Sequence, residues 1–386
     1  MRRGLRLASI SGTLLALMAL VASCSAAPAA APTTKPQPTT APAAPAAPTK
    51  APAAPAAAPT TASQPAPVKP LSPVVKLKVA VVGTVADAGI YIADERGYFK
   101  EEGIEIETLP GTSQDMYSPM ATGQIDVAGI GPNSGFFNAI ARDIPIKIVA
   151  DKGSLKPGFP LLGFVVRTDL IESGAYKSLA DLKGMNIAES NQGVGVNIDL
   201  DKVLEKAGLT RKDIKITLIP FPNQNPAYGN KQLDAGIQQE PLLTAGVAAG
   251  LYKKVIGLDE VYPNHQVGCI LYSPQFAKNT EVANRFMVAY IRGVRDYNDA
   301  FDKAKNKDRA DIINILAKRT TVKDVAIYDK MGMAGLNPDG YVNAESIAID
   351  AKWFLDNGYI KQQPDLKTII DNSYVDYAIQ RLGKYK

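Results

Sequence analysis

Lys76-Leu77-Lys78-Val79-Ala80-Val81-Val82-Gly83 reads as a buried strand closed by a glycine. From there the pattern alternates: a helical stretch over 88–97, a strand at 104–108, then helix 116–123, strand 125–130, helix 134–142 and strand 146–150. Strands alternating with helices in this way predict parallel sheet in an α/β fold. A second series opens with the apolar run 161–166 and continues through strand 186–189, helix 194–207, strand 215–218, helices 230–235 and 241–250, and strand 268–272. The remainder is mostly helical, over 280–303, 309–318, 323–331 and 344–357. Two α/β segments joined by two apolar crossing strands predict two lobes with a cleft between them. Residues 76–166 and 268–386 are assigned to lobe I and 167–267 to lobe II, with hinges at 163–168 and 268–273. Ligands in open α/β sheets sit beyond the carboxyl ends of the strands, and clefts between lobes are preferred pockets.

The composition agrees with a soluble globular body. Of 386 residues 46% are hydrophobic and 21% charged. Two cysteines cannot staple a chain of this length, so a disulfide scaffold is excluded. With Cys24 assigned to the N-terminal signal, only His265 and Cys269 remain for a zinc site that wants four ligands, and no metal is expected. The net charge of +5 comes from the N-terminus: residues 1–75 carry six basic residues and no acidic one, leaving 37 basic against 38 acidic beyond. A nucleic-acid-binding protein would show a basic body, so no nucleic-acid partner is expected.

The N-terminus reads as an address and a tether. Arg2, Arg3 and Arg6 precede an apolar run over 14–22 that is shorter than the ~20 residues a spanning helix needs. Val21-Ala22-Ser23-Cys24 resembles a bacterial lipobox, in which the cysteine is lipidated and becomes the new N-terminus. Residues 1–23 are thus assigned as a lipoprotein signal peptide, with an ordinary signal peptide as the alternative. Beyond Cys24, residues up to 75 are almost wholly Ala, Pro and Thr and hold fourteen of the 28 prolines. With no large apolar side chains to bury, this stretch is predicted to be a disordered, extended tether.

Five stretches in order resemble one family. Glu95-Arg96-Gly97-Tyr98-Phe99-Lys100-Glu101-Glu102-Gly103-Ile104-Glu105-Ile106, Thr122-Gly123-Gln124-Ile125-Asp126-Val127-Ala128 and Leu179-Ala180-Asp181-Leu182-Lys183-Gly184-Met185-Asn186-Ile187-Ala188 are the first three. Gln232-Leu233-Asp234-Ala235-Gly236 with Glu240-Pro241, and Trp353-Phe354-Leu355-Asp356-Asn357-Gly358-Tyr359, complete the set. Together they resemble the substrate-binding proteins of bacterial ABC importers for nitrate, sulfonates, thiamine pyrimidines and riboflavin. The resemblance implies a two-lobed type II periplasmic-binding-protein fold, a small-molecule ligand, and permease and ATPase subunits as partners. A monomer is expected, held by the lipid that the lipobox implies on the extracytoplasmic side of the cell membrane, periplasmic or outer face.

The strand-to-helix loops supply the candidate ligand contacts. Lobe I offers Thr84 and Asp87, with Tyr91 beyond them, then Ser113 and Gln114, then Asn133 and Ser134. Lobe II offers Asn191 and Gln192, Asn223, and Gln239 with Glu240. Such residues present hydrogen-bonding groups at helix starts, although capping and turn formation use the same types. Tyr91, Phe136, Phe221, Tyr228 and Tyr272 are candidate stacking faces. These loops contain no Arg or Lys, which favours a neutral heterocycle such as riboflavin or a thiamine pyrimidine over a sulfonate, taurine or nitrate.

Enzyme signatures are missing. Gly129-Ile130-Gly131-Pro132-Asn133-Ser134-Gly135 misses the G-x-G-x-x-G spacing, and neither G-x-S-x-G nor a P-loop occurs. A fungal branch of the resembled family makes the thiamine pyrimidine, but its cysteine-rich motif is absent here. The expectation is therefore a binding protein with no catalytic residues and no cofactor, and with lipidation at Cys24.

Overall fold

The apolar run at 76–82 forms β1 (Val75–Val81), followed by α1 (Ala88–Glu95), β2 (Ile104–Pro110), β3 (Val127–Ile130), α2 (Ser134–Ile140) and β4 (Lys147–Ser154). The second series forms β5 (Leu162–Arg167), β6 (Asn186–Glu189), α3 (Gly195–Ala207), β7 (Lys215–Leu218), α4 (Phe221–Gly229), β8 (Ala235–Gln239), α5 (Leu242–Ala248) and β9 (Tyr252–Gly257). Then come β10 (Gln266–Tyr272), α6 (Thr280–Phe301), α7 (Arg309–Arg319), α8 (Ala344–Asp356) and α9 (Ser373–Leu382). The computed structural model describes residues 69–386 apart from 112–114 and 303, so the expected signal peptide, Cys24 and most of the expected tether lie outside the described residues. Among the described residues no helix is long and apolar enough to cross a membrane.

The strands make two five-stranded sheets, ordered β2-β1-β3-β10-β4 and β7-β6-β8-β5-β9. Both share one plan. In each, a first strand (β1 or β6) lies between two parallel partners, and the next strand along runs antiparallel. That antiparallel strand is always the one that has just arrived from the other half of the chain: β5 in the second sheet, β10 in the first.

The same aspartate clamp closes both sheets. Asp126 Oδ2 accepts the Lys78 N–H at 2.8 Å, and the Asp126 N–H donates to the Lys78 carbonyl at 3.0 Å. Asp234 Oδ2 accepts the Asn186 N–H at 2.9 Å and returns its own N–H to the Asn186 carbonyl at 2.9 Å. Each aspartate lies at the entry to the third strand of its sheet and reaches back 48 residues to the first. The family stretches at 122–128 and 232–236 are therefore structural, their aspartates tying β3 to β1 and β8 to β6.

Four expectations are corrected. Residues 162–166 do not belong with the first lobe, because β5 is hydrogen-bonded on both sides within the second sheet. The expected hinges at 163–168 and 268–273 likewise fall in or beside laddered strands; the connections between the sheets are 155–161 and 258–265. The helix expected at 230–235 is instead α4, which starts with Pro222 in its first turn, where a missing N–H costs nothing. Strand β8 comes next, a central strand in which Gly236 is needed. A Cβ there would stand 2.7 Å from the Tyr228 hydroxyl and 2.8 Å from Ala188 Cβ. The helix expected at 323–331 is reduced to one 3₁₀ turn, Val325–Ile327.

Helix α6 packs against α1 at two glycines. A Cβ on Gly89 would come within 2.6 Å of Tyr290 and Val294, and one on Gly293 would collide with the Gly89 carbonyl oxygen and reach within 2.8 Å of the Ala93 nitrogen. Alanine is intrinsically favoured over glycine in a helix by about 1 kcal/mol. Here the obstacle is backbone that cannot swing aside, and overpacking costs about 1–3 kcal/mol. Gly293→Ala is therefore expected to destabilise the protein, seen as a lower urea midpoint; a raised midpoint would contradict the close helix contact.

Candidate functional site

The carboxyl ends of the central strands of both sheets face a cleft of about 400 Å³, within the ~300–1,000 Å³ usual for small-molecule sites. The first sheet contributes Val82 and Thr84 after β1, Gly111 after β2, the 130–133 turn after β3, and Lys152 from β4. The second contributes Ser190 and Asn191 after β6, the start of α3, the 220–222 entry to α4, and Gln239 at the end of β8. Leu161, Leu162 and the 266–268 stretch close the side where the chain crosses.

The expected contact residues separate into two groups. Thr84, Asn133, Asn191 and Gln239 line the cleft. Asn133 has a double role. Its Oδ1 caps α2 by accepting the Phe136 N–H at 3.0 Å, while its buried Nδ2 lies within reach of the Tyr117 hydroxyl. Asn191 Oδ1 accepts the Gln192 N–H at 2.8 Å, and its carbonyl accepts from Asn197 Nδ2 at 2.8 Å. Phe221 is the one expected aromatic that reaches the cleft.

The others are placed elsewhere. Asp87 is fully buried behind the wall, where its carboxylate accepts the N–H groups of Gly83 and Thr84 at 2.8 and 3.0 Å. Tyr91 is a core residue of α1 with the Arg319 guanidinium 5.0 Å from its ring centre, and burial pushes its hydroxyl far above the ordinary tyrosine range. Phe136, Tyr228 and Tyr272 are also buried core. Ser134 spends its N–H on the Gly193 carbonyl at 3.0 Å, a bond that joins the two halves at the cleft rim. Gln192 and Asn223 are exposed and outside the cleft; Asn223 lies on α4 rather than in a loop. Glu240 is buried away from the cleft, accepting from the Thr244 N–H and hydroxyl and the Gly332 N–H at 2.9–3.0 Å. Burial raises its carboxyl above the usual range, against the pull of those donors. Ser113 and Gln114 lie outside the described residues.

Two polar residues that the sequence reading did not single out also line the cleft. Lys152 is 2% exposed and its Nζ lies 2.8 Å from Asp87 Oδ1. The loops supply no Arg or Lys, as read from the sequence, but the cleft has a cation that comes from strand β4. The signal was the charged pair Asp151-Lys152 continuing an apolar strand into Gly153. Gln266, also 2% exposed, donates to Asp151 Oδ1 at 2.5 Å and to the Gly153 and Gly268 carbonyls, and accepts the Asn343 N–H at 2.7 Å. Burial pushes the Asp151 carboxyl up to about 6, even though the Asn337, Gln266 and Gly153 donors oppose it. Among the described residues no group of three or more His, Cys, Asp or Glu side chains is placed to hold a metal ion.

Two sheets of this order, linked by two crossings around a cleft, have the fold of the two-lobed periplasmic binding proteins. Solved structures agree. The ligand-binding component of an ABC-type import system from Staphylococcus aureus superposes with a TM-score of 0.64 at 12% identity, over 79% of this chain and 99% of that one. The nitrate-binding protein NrtA of Synechocystis gives 0.62 at 14%, over 81% and 90%. The alkanesulfonate-binding protein SsuA of Xanthomonas axonopodis gives 0.61 at 19%, over 79% and 99%. At these identities the likeness is one of fold. Residues 85–303, more than half of the chain, match the family described as NMT1/THI5 like, and the chain belongs to that family. It is 27% identical over 227 residues to 4-amino-5-hydroxymethyl-2-methylpyrimidine phosphate synthase of Aspergillus parasiticus, covering 54% of this chain and 62% of that one. It is likewise 27% identical over 248 residues to the riboflavin-binding protein RibY of Chloroflexus aurantiacus, covering 62% and 68%. The chain thus spans less than two thirds of the fungal relative's length.

Burial makes the Lys152–Asp87 pair interdependent. Removing one partner of a buried pair costs about 3–5 kcal/mol, because the other charge is left without compensation. Lys152→Met is expected to lower stability by about that amount. Adding Asp87→Asn, whose amide oxygen still accepts from Gly83 and Thr84, is expected to restore most of it. Additive losses in chemical denaturation of the double variant would contradict the pairing.

Proposed function

We propose that the protein is an extracytoplasmic solute-binding protein, anchored by lipid on Cys24 beyond a 24–75 tether, that captures one small molecule and delivers it to an ABC permease. The ligand we infer is a neutral, planar heterocycle of the vitamin or vitamin-precursor type, such as riboflavin or a thiamine pyrimidine. The observation that carries this reading is the charge state of the cleft. Among the described residues Lys152 is its one charged lining residue, and Asp87 already neutralises it at 2.8 Å. A charged ligand would compete with that pair, whereas a neutral ring needs only hydrogen bonds and flat apolar walls. Asn133 supplies an amide beside the Tyr117 hydroxyl, and Phe221 with Pro220 and Pro222 supplies a wall. The family membership and the riboflavin-binding relative support the same class.

One observation favours a second reading, an organic oxyanion such as a sulfonate: Lys152 and the N-terminus of the thirteen-residue helix α3 both line the cleft. Calorimetric titration of the purified full chain with riboflavin, 4-amino-5-hydroxymethyl-2-methylpyrimidine and an alkanesulfonate separates the two. One-to-one binding of a heterocycle, with the ligand recovered unchanged, is expected; binding of the sulfonate alone, or conversion of the pyrimidine, would overturn the reading. Asn133→Ser keeps an oxygen to cap α2 but withdraws the amide donor. It is expected to weaken heterocycle binding about tenfold, the equivalent of one lost hydrogen bond, with little change in melting temperature. Unchanged affinity would remove Asn133 from the site.

A further inference from the structure

The connection 258–265 that returns the chain to the first sheet ends at His265, whose side chain is fully buried between two carboxylates. Nδ1 lies 2.8 Å from Asp199 Oδ1 on α3, and Nε2 lies 2.9 Å from Asp350 Oδ2 on α8. Tyr262, on the same connection, stacks on the imidazole with centroids 4.5 Å apart and directs its hydroxyl at Asp350 Oδ1, 3.4 Å away. Asp199, Asp350 and Tyr262 are the titratable groups that face the ring from α3, α8 and the connection. A neutral imidazole has one N–H and would turn a lone pair toward one of the carboxylates; an imidazolium donates to both. Burial opposes the charge, but the two carboxylates outweigh it and hold the ring's pKa well above 6.5.

The contact reaches the cleft through Gly195, the first residue of α3. A Cβ at Gly195 would stand 3.2 Å from the imidazole Cε1, so the ring fixes the height of the turn that lines the cleft. Two residues further along α3 from Asp199, Asp201 Oδ2 accepts the Trp353 Nε1–H at 2.8 Å, and its other oxygen pairs with Arg211. Helix α8 thus grips α3 twice.

We propose that Asp199, His265 and Asp350 form a strap between α8 and α3 that holds the first turn of α3 at the cleft wall, making His265 a positioning residue for ligand capture. The functional part of this inference rests on the cleft being the ligand site. The test uses no ligand, so a failure of the strap and a failure of the binding reading are distinguishable.

The chain has one histidine and one tryptophan, so each gives an unambiguous signal. In the full chain labelled with ¹⁵N-histidine, both ring nitrogens are expected to be protonated at pH 7 and to lose a proton only well above the ordinary imidazole range. A ring with one proton at pH 7, or one titrating near 6.5, overturns the strap. A histidine whose folded pKa is raised contributes stability that is complete below its unfolded value and is lost as pH rises through its folded value. Trp353 emission is therefore expected to hold steady around neutrality and to shift to longer wavelength on the alkaline side, together with ring deprotonation. Asp350→Asn keeps the side chain's shape and removes one charge. It is expected to move both transitions to lower pH and to speed amide exchange over residues 195–198 at least tenfold at pH 8. Ring deprotonation without a change in Trp353 emission, or unchanged exchange in the variant, contradicts the proposal.

Discussion

Everything about the cleft depends on two strands being laddered into the sheet opposite the one they leave. β5 and β10 each sit between partners, antiparallel on both sides, and each is the first strand the chain lays down after crossing from one sheet to the other. Ladder hydrogen bonds hold those strands in register, which leaves 155–161 and 258–265 as the connections that set how the sheets face each other. The cleft lies where these connections meet the carboxyl ends of the parallel strands. The ends of the crossing strands, Leu162 and the 266–268 stretch, accordingly form part of its wall. The repeated aspartate clamp serves the same end, because it fixes the third strand of each sheet and thereby its carboxyl end, where Asn133 follows β3 and Gln239 closes β8.

The polar design of the cleft is economical in charge. The ammonium at its wall is matched by a carboxylate behind it, and that carboxylate also accepts two N–H groups of the 83–84 turn. Gln266 uses its whole amide on Asp151, two carbonyls and the Asn343 N–H, so it stiffens the wall rather than offering itself to a guest. Asn133 is different: its oxygen caps α2, and its amide nitrogen lies beside the Tyr117 hydroxyl.

The fold was legible in the sequence because strand–helix alternation and its glycine punctuation are local. The apolar run at 76–82 and the two crossing strands led directly to a two-lobed α/β fold. Pairing is not local, and it is pairing that moves 162–166 into the second sheet. The Ala-Gly-Ile-Gln-Gln strand β8 was hidden because a central strand crowded by Tyr228 and Ala188 requires a glycine that weakens its apolar pattern. At the cleft, loop chemistry was ambiguous for a physical reason. Asp87 and Glu240 come after strands as ligand-binding residues do, yet both are consumed by backbone N–H groups. Lys152 was missed because its position depends on strand register, which composition does not reveal.

The most direct measurement is native mass spectrometry, with an absorbance spectrum, on the full chain purified without denaturation. A single small-molecule adduct released on unfolding, with the absorbance of an aromatic heterocycle, is the expected result. A bare protein that neither riboflavin nor a pyrimidine stabilises against heat would contradict it, leaving a two-sheet fold whose cleft serves some other purpose.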